Sequence, residues 1–426
     1  MVVQKQVGMR VVRSIANGGN GVLDWLSRVL NIDAHYFVRG GFWLGLSYSF
    51  HTLMRLVLIV FLARFFDKQF YGEYQFFINA LAIAGFFALP GMETAITQSV
   101  ANGYNSSLIF GTRAKLKWSF LGSVFLLCIA GFFKFIRPEP FWHVFVFAAL
   151  LFPVFSGFNG VFGYFLGKEN FRKSALFGMF AEFVGVLATI LASFTGSLFI
   201  IVLAYMVSST IAVLLVFLFE RRKVKPVPVD PGVVAYGRDM TFMNVFNYIS
   251  PFLDRFVIAF VMGFESLAVY AIAMAIVPHL SYGGRLFSLL LLPKFSRESP
   301  GHAGKIKKLF WWFCLGCVFL VVVLIAVLPW LIPLLFSEKY AESVFFAQIA
   351  CLYLIFFMPS SIIYSYFQGR KRVRLLYAYN LGLGVLNLVL LGVFIPLLGV
   401  MGAIVSKIAL GILGFIFLVI SFYRKH

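Results

Sequence analysis

Long apolar stretches alternate with short polar ones along the chain from residue 41 onward. Each apolar stretch holds about 20 residues, enough to cross the hydrocarbon core of a bilayer at ~1.5 Å of rise per helical residue. A backbone inside lipid must satisfy its own hydrogen bonds, so runs of this length predict helices. The pattern predicts twelve membrane-spanning helices, at 41–65, 75–98, 114–136, 142–166, 174–195, 197–219, 241–263, 267–292, 309–335, 343–367, 373–396 and 399–422.

The first forty residues follow a different pattern, because they are polar and basic. Within residues 22–30, apolar side chains recur at helical spacing, which predicts an amphipathic helix lying on the inner membrane surface. The segment has no long apolar core followed by a small-residue cleavage site. A cleavable signal peptide is therefore not expected.

Composition supports a membrane protein, because 61% of the side chains are apolar and only 12% are charged. Lys and Arg outnumber Asp and Glu by 36 to 16, an excess that suggests nucleic acid in a soluble protein. If the N-terminus is cytoplasmic, 27 of the 36 basic residues fall in inner segments and five in outer ones. The positive-inside rule then predicts a multi-pass protein with both termini cytoplasmic, and it explains the charge without a nucleic-acid partner.

An internal repeat divides the predicted spans into two sets of six. The segment YFLGKENFR at 164–172 matches YFQGRKRVR at 366–374, and superposing the halves places Arg55 on Arg255. Because six spans return the chain to the side where it began, both copies have one orientation and flank a central cavity. The predicted organisation is an N-terminal segment, a first six-helix bundle, a basic and Pro-rich cytoplasmic linker, and a second six-helix bundle, at 1–40, 41–219, 220–240 and 241–426.

Two motifs in the chain resemble those of a known family. LARFFDKQFYGEYQ at 62–75 is similar to the join of helices one and two in the Wzx-type oligosaccharide and polysaccharide flippases, and the repeated segment at 164–172 and 366–374 fits the same family. These flippases belong to the multidrug/oligosaccharidyl-lipid/polysaccharide (MOP) exporter superfamily. The resemblance implies an all-α protein of the bacterial inner membrane. It also implies movement of a polyprenyl-diphosphate-linked oligosaccharide to the periplasmic leaflet, by alternating access around a cationic cavity.

Four cations lie well inside the predicted spans, away from the span ends, where charge is costly and marks a cavity or a transport route. They are Arg55, Arg255, Arg285 and Lys407. A guanidinium stays charged and donates bidentate hydrogen bonds, which suits a diphosphate. We therefore expect these four side chains to contact the substrate. The alternatives are pairing with carboxylates of neighbouring helices and, for Arg285 above all, snorkelling to the membrane surface.

Three carboxylates, Asp254, Glu93 and Glu182, also lie inside the predicted spans. Asp254 is adjacent to Arg255 and so points about 100° away from it around the helix. Met54 occupies the matching place in the first half, so the two halves are not equivalent here. We predict coupling or gating for these carboxylates, with H⁺ or Na⁺ as the candidate ion. Pairing with a cation on another helix is the alternative.

Other candidate chemistry in the chain is sparse. His51 and His279 could titrate near neutral pH, but a hydrogen-bonded histidine in a cavity wall is the commoner outcome. The four cysteines all lie in apolar runs, and no metal site or cofactor is predicted.

Two other function classes compete with the flippase hypothesis. A cation-coupled multidrug exporter of the same superfamily would favour acidic rather than Arg-lined cavities. A membrane enzyme of envelope polysaccharide assembly would need clustered carboxylates or a large loop outside the membrane, and no predicted outer loop provides one. The expected partners are the lipid-linked oligosaccharide, the bilayer and other polysaccharide assembly proteins.

Overall fold

The structure is a computed structural model that describes residues 34–224, 228, 230–281, 303–370 and 372–423. Throughout this part of the chain the ordered elements are helices, and no strand occurs in it. Arg285 and the predicted surface helix at 22–30 lie outside the described residues.

Eleven helices of the described chain are long and apolar enough to cross a membrane, or twelve if one bent pair counts as a single span. The prediction of an all-helical membrane protein with about twelve spans is confirmed. The helices are α1 (Ala34–Phe65), α2 (Lys68–Ala84), α3 (Gly91–Ala101), α4 (Ser107–Phe135), α5 (Trp142–Gly157), α6 (Gly160–Gly167), α7 (Phe171–Ser193), α8 (Leu198–Arg221), α9 (Val233–Met243), α10 (Val245–Met262), α11 (Phe264–Ala273), α12 (Ala303–Phe336), α13 (Glu342–Gly369), α14 (Val373–Leu398) and α15 (Val400–Tyr423).

The bent pair is the second predicted span, which is made of α2, a 3₁₀ turn at Gly85–Ala88, and α3. The two parts meet at an angle of 44°. Pro90 lacks a backbone donor and disfavours α-helical geometry in the residue before it. Leu89 takes a left-handed conformation with φ of 51°, and the helix breaks at this point.

Helix α9 lies partly inside the predicted linker at 220–240 and was not expected from the sequence. It packs against α3, where the Gly91 amide donates to the Thr241 hydroxyl at 3.0 Å. A Cβ on Gly91 would lie 2.6 Å from the carbonyl oxygen of Gly237, so only glycine permits this approach. The Ser99 hydroxyl also donates to the Asp230 carboxylate at 2.5 Å. These contacts join the far end of the second span to the start of the second predicted bundle.

The helix ends on the side opposite to α9 form what we call the predicted outer end. It consists of residues 66–67, 136–141, 194–197, 263, 337–341 and 399. Lys68 and Glu342 form an ion pair between the two predicted bundles. Arg64 Nε donates to the Leu335 carbonyl at 2.8 Å, and Lys339 Nζ donates to the Arg64 carbonyl at 3.0 Å. The two predicted bundles are therefore in direct polar contact at this end.

Tight helix packing reinforces the contact at the predicted outer end. Gly72 of α2 lies so close to α11 that a Cβ there would clash with the backbone carbonyl of Phe264. Arg137 Nη1 donates to the Phe260 carbonyl at 3.2 Å. The rings of Phe133 and Phe260 stack with centroids 5.9 Å apart. Aromatic burial and backbone contact thus close this end, and the candidate site lies deeper in the helices.

Candidate functional site

Helix α10 carries Asp254 and Arg255, and its neighbours draw the two side chains into different surroundings. Asp254 is 2% exposed, and its Oδ2 lies 2.7 Å from Lys407 Nζ of α15. The Tyr270 hydroxyl of α11 donates a hydrogen bond to the same oxygen. A buried carboxylate needs such partners, because an unpaired charge inside a protein is costly. Asp254 and Lys407 are therefore brought together, as an ion pair.

Arg255 points toward the first predicted bundle. Its Nη1 donates to Asn79 Oδ1 on α2 at 3.1 Å, while its Nε is buried without a hydrogen-bond partner. Asn79 in turn donates to the Gln75 carbonyl, and the Gln75 amide donates to the Tyr71 hydroxyl at 2.7 Å. Among the described residues, no carboxylate forms an ion pair with the Arg255 guanidinium. Arg255 is thus positioned by a neutral amide and keeps its net charge.

Arg55 has a different partner, although the repeat makes it the equivalent of Arg255. Its Nε lies 3.2 Å from Glu182 Oε1 of α7, and the side chains are 64% and 15% exposed, respectively. The phenols of Tyr74 and Tyr205 lie within electrostatic range of both charges. Arg55 and Glu182 therefore form a largely accessible ion pair with aromatic neighbours.

The two arginines share one neighbour, because His279 interacts with both of them. Its exposed side chain lies within electrostatic range of both Arg55 and Arg255. His51 lies one helical turn before Arg55, and its Nδ1 is 2.6 Å from the Ser47 carbonyl oxygen. Both histidines are accordingly found near the predicted cations.

Glu93 is separate from this group. It lies on α3, beyond the bend at Pro90, and its Oε1 is 3.4 Å from Lys115 Nζ. Lys115 was counted among the basic residues of an inner segment, but the structure buries its side chain to 3% exposure within α4. The sequence analysis therefore missed a buried cation inside α4.

Several uncharged residues of the site were also missed. Asn79 and Gln75 orient Arg255, Tyr270 holds Asp254, and Tyr205 lies beside Glu182. Polar amides are unusual in a segment as apolar as the second span, so Gln75 and Asn79 carried a usable signal. The tyrosines carried none, because tyrosine is common in membrane helices for reasons unrelated to a site.

Charge is distributed unequally between the two predicted bundles at these groups. On the second bundle, Asp254, Arg255 and Lys407 carry one negative and two positive charges within a short distance. On the first bundle, the Arg55 and Glu182 charges cancel. An anion would therefore be attracted to Arg255 and Lys407, whereas the first bundle presents neutral hydrogen-bonding groups.

Comparison with protein families and curated proteins identifies similar sequences. The family described as "Polysaccharide biosynthesis protein" matches residues 37–297, which is more than half of the chain. A curated protein of Shigella flexneri named "Putative O-antigen transporter" is 24% identical over 315 residues, spanning 66% of this chain and 73% of that protein.

Solved structures show the same fold at low identity. The lipid II flippase MurJ in its inward closed conformation is 15% identical, with a TM-score of 0.68, and the match covers 88% of this chain and 86% of that one. An inward-facing multidrug resistance MATE transporter of the MOP superfamily is 14% identical, with a TM-score of 0.56 and coverage of 88% and 95%. These relatives are transporters or flippases, in agreement with the prediction that the chain is not an enzyme.

Proposed function

Because this chain belongs to the polysaccharide biosynthesis protein family, as its resemblance to the Wzx-type flippases implied, we propose that it moves a polyprenyl-diphosphate-linked oligosaccharide across a bacterial inner membrane. The cargo would travel from the cytoplasmic to the periplasmic leaflet. An O-antigen transporter among its relatives and a lipid II flippase with the same fold support this choice of cargo.

The observation that carries the proposal is the state of Arg255. It lies within a membrane-length helix, and no carboxylate of the described chain forms an ion pair with it. Keeping an uncompensated charge at such depth is expensive unless a ligand of opposite charge occupies the site for part of the cycle. A diphosphate provides that charge, and its oxygens accept the bidentate hydrogen bonds that a guanidinium donates.

Lys407 would contribute to the same anion site. Its Nζ is bound to Asp254, but its side chain is 26% exposed, so the ammonium can still interact with a phosphate oxygen. The prenyl tail would remain in lipid while the head group crosses between the bundles. The contacts that close the predicted outer end fit a state that takes up cargo from the predicted cytoplasmic side. In this proposal both termini are cytoplasmic, and the bundles at 41–219 and 241–426 are the two halves that move.

Asp254 is the coupling candidate that the surroundings favour. Its pairing with Lys407 and Tyr270 would change if a proton or Na⁺ were bound, and that change would reach Arg255 through the shared helix. Glu93 and Glu182 are each paired with a single cation and remain second candidates. This assignment predicts that transport depends on the H⁺ or Na⁺ gradient.

Removal of the protein from its host tests the proposed function. Without it, lipid-linked oligosaccharide should accumulate on the cytoplasmic leaflet and surface polysaccharide should be lost, and a plasmid copy should restore both. The likeness to multidrug transporters gives the alternative, a cation-coupled exporter of drug-like molecules. Loss of drug resistance without accumulation of lipid-linked oligosaccharide would rule out the flippase and favour the exporter.

A further inference from the structure

Arg55 and Arg255 are equivalent in the repeat, but their charges are not equally available. Glu182 lies 3.2 Å from Arg55, whereas the partner of the Arg255 guanidinium among the described residues is the neutral Asn79. We propose that the Arg55–Glu182 pair is a sugar subsite, which binds hydroxyl groups of the oligosaccharide while the diphosphate binds on the second bundle. This inference rests on the proposed function and changes the role of Arg55 from a diphosphate ligand to a sugar ligand.

Electrostatics argues against a diphosphate at Arg55. The carboxylate of Glu182 cancels the guanidinium charge and would repel a polyanion placed beside it. Glu182 is mostly covered, at 15% exposure, so it cannot swing into bulk solvent to remove the conflict. Arg55 is 64% exposed and presents N–H donors next to a carboxylate acceptor. Paired donors and acceptors of this kind match sugar hydroxyls, each of which both donates and accepts.

The polar groups continue along the helix rather than ending at Arg55. Ser47, His51 and Arg55 are spaced four residues apart, so they lie on one face of α1 over about 12 Å of rise. The facing helix α7 has Gly178 opposite His51, where a Cβ would lie 3.5 Å from the imidazole Cε1. Hydroxyl, imidazole and ion-pair groups therefore form a row long enough to contact more than one sugar ring.

Aromatic side chains complete the subsite. Tyr205 is half-buried beside Glu182, and its ring packs against Phe155 with centroids 5.9 Å apart. Gly185 allows α7 to approach α8 here, because a Cβ on Gly185 would lie 2.7 Å from the Ser209 hydroxyl. An aromatic face supplies apolar contact for the C–H groups of a sugar ring while the ion pair binds its hydroxyls. This combination suits an uncharged, hydroxyl-rich head group.

Two probes separate the sugar from the diphosphate. Purified protein would be titrated with geranylgeranyl diphosphate, which has no sugar, and with lipid-linked oligosaccharide extracted from host cells that lack the protein. Glu182→Gln keeps the side-chain shape and removes the charge, and the exchange Arg55→Glu with Glu182→Arg restores the pair in reverse. Asp239→Asn is the matched control, because Asp239 also pairs with an exposed arginine. Thermal unfolding would check that each variant is folded.

Glu182→Gln should weaken binding of the lipid-linked oligosaccharide about tenfold, the usual effect of losing a hydrogen bond to a charged group. The affinity of the Glu182→Gln variant for geranylgeranyl diphosphate should equal or exceed that of the parent protein. The charge exchange should recover part of the oligosaccharide binding. Equal weakening of both probes, or of neither, would overturn the sugar subsite while leaving the proposed function intact. Failure of the parent protein to bind either probe would overturn the proposed function itself.

Discussion

Lys407 Nζ lies 2.7 Å from Asp254 Oδ2, and this ion pair joins α15 to α10 inside the second predicted bundle. The carboxylate is 3% exposed and the lysine side chain 26%. Because Tyr270 donates to the same oxygen, the Asp254 carboxylate has two close partners other than Arg255. Lys407 and Tyr270 thus hold the Asp254 carboxylate within the second predicted bundle, whereas the Arg255 guanidinium faces the first one.

Breaking this ion pair from one side should destabilise the protein. Lys407→Met leaves a buried carboxylate without its cation, and we expect it to lower the free energy of unfolding by about 3 kcal/mol. Asp254→Asn should also destabilise, while the double variant should recover most of the loss. Denaturant unfolding in detergent micelles would measure all three. Strictly additive effects of the two substitutions would contradict a direct pair.

Arg255→Ala should abolish transport without removing the protein from the membrane. A truncated partner of a charged hydrogen-bonded pair typically costs enough to lower binding at least about thirtyfold. Arg255→Lys should rescue only part of the activity, because an ammonium keeps the charge but not the bidentate geometry. Transport would be measured as the amount of surface polysaccharide that each variant restores in a deletion host. Immunoblots of membrane fractions would report the amount of protein.

Arg238→Ala is the control for the Arg255 variants, since Arg238 is exposed and, among the described residues, forms an ion pair with its neighbour Asp239. It should support normal transport. Full transport by Arg255→Ala would remove Arg255 from the site, and the anion site would then lack its main ligand.

Linking the two bundles at the predicted outer end should stop transport. With Cys at positions 68 and 342, in a background free of the four native cysteines, a short bis-thiol reagent would fix the contact now made by the Lys68–Glu342 pair. Transport into the outer leaflet should fall with the degree of cross-linking and return after a cleavable linker is reduced. Proteoliposome flipping assays would quantify both steps.

A second cross-link gives the matched comparison. Lys173 of α7 and Glu220 at the end of α8 form an ion pair between two neighbouring helices on the first-bundle side, so bridging these positions should not join the two halves. We expect transport to survive this link. Equal inhibition by both links would mean that the bundles do not move apart at residues 68 and 342.

Gly72→Ala should loosen the predicted outer end. A methyl group there meets the backbone carbonyl of Phe264, and backbone cannot move aside as a side chain can. Overpacking of this kind typically costs about 1–3 kcal/mol. A cysteine at the buried position of Tyr340 would report the opening, as faster labelling by a membrane-impermeant maleimide.

Gly131→Ala is the control for Gly72→Ala, because a Cβ at Gly131 would meet nothing within 4 Å. Its labelling rate should match that of the parent. If Gly72→Ala also labels at the parental rate, the close approach of α2 to α11 does not hold this end closed.

Much of the architecture was predictable because lipid imposes a simple rule on backbone. The span predicted at 399–422 is observed at Val400–Tyr423, and the one at 142–166 at Trp142–Gly167. Helix α9 was missed because its eleven residues are too few and too polar to span, and only contact with α3 reveals its place. Hydropathy detects burial in lipid but not packing at a helix end.

The site was predictable in its charges but not in their pairing. The sequence indicated Arg55 and Arg255 as intramembrane cations, yet gave no way to know that Glu182 would neutralise one and Asn79 orient the other. Partner choice depends on how α2, α7 and α10 pack, which a linear pattern does not specify. The roles of these residues in transport stay predictions.

The break at Pro90 gives the second span two independent segments. Its α2 part meets Phe264 at Gly72, and its α3 part meets Gly237 at Gly91. A straight helix would tilt as one lever, so that opening one end would force the other to move with it. The 44° bend gives α2 and α3 different axes, so the close contact at Gly72 and the close contact at Gly91 are made by differently directed parts of one span.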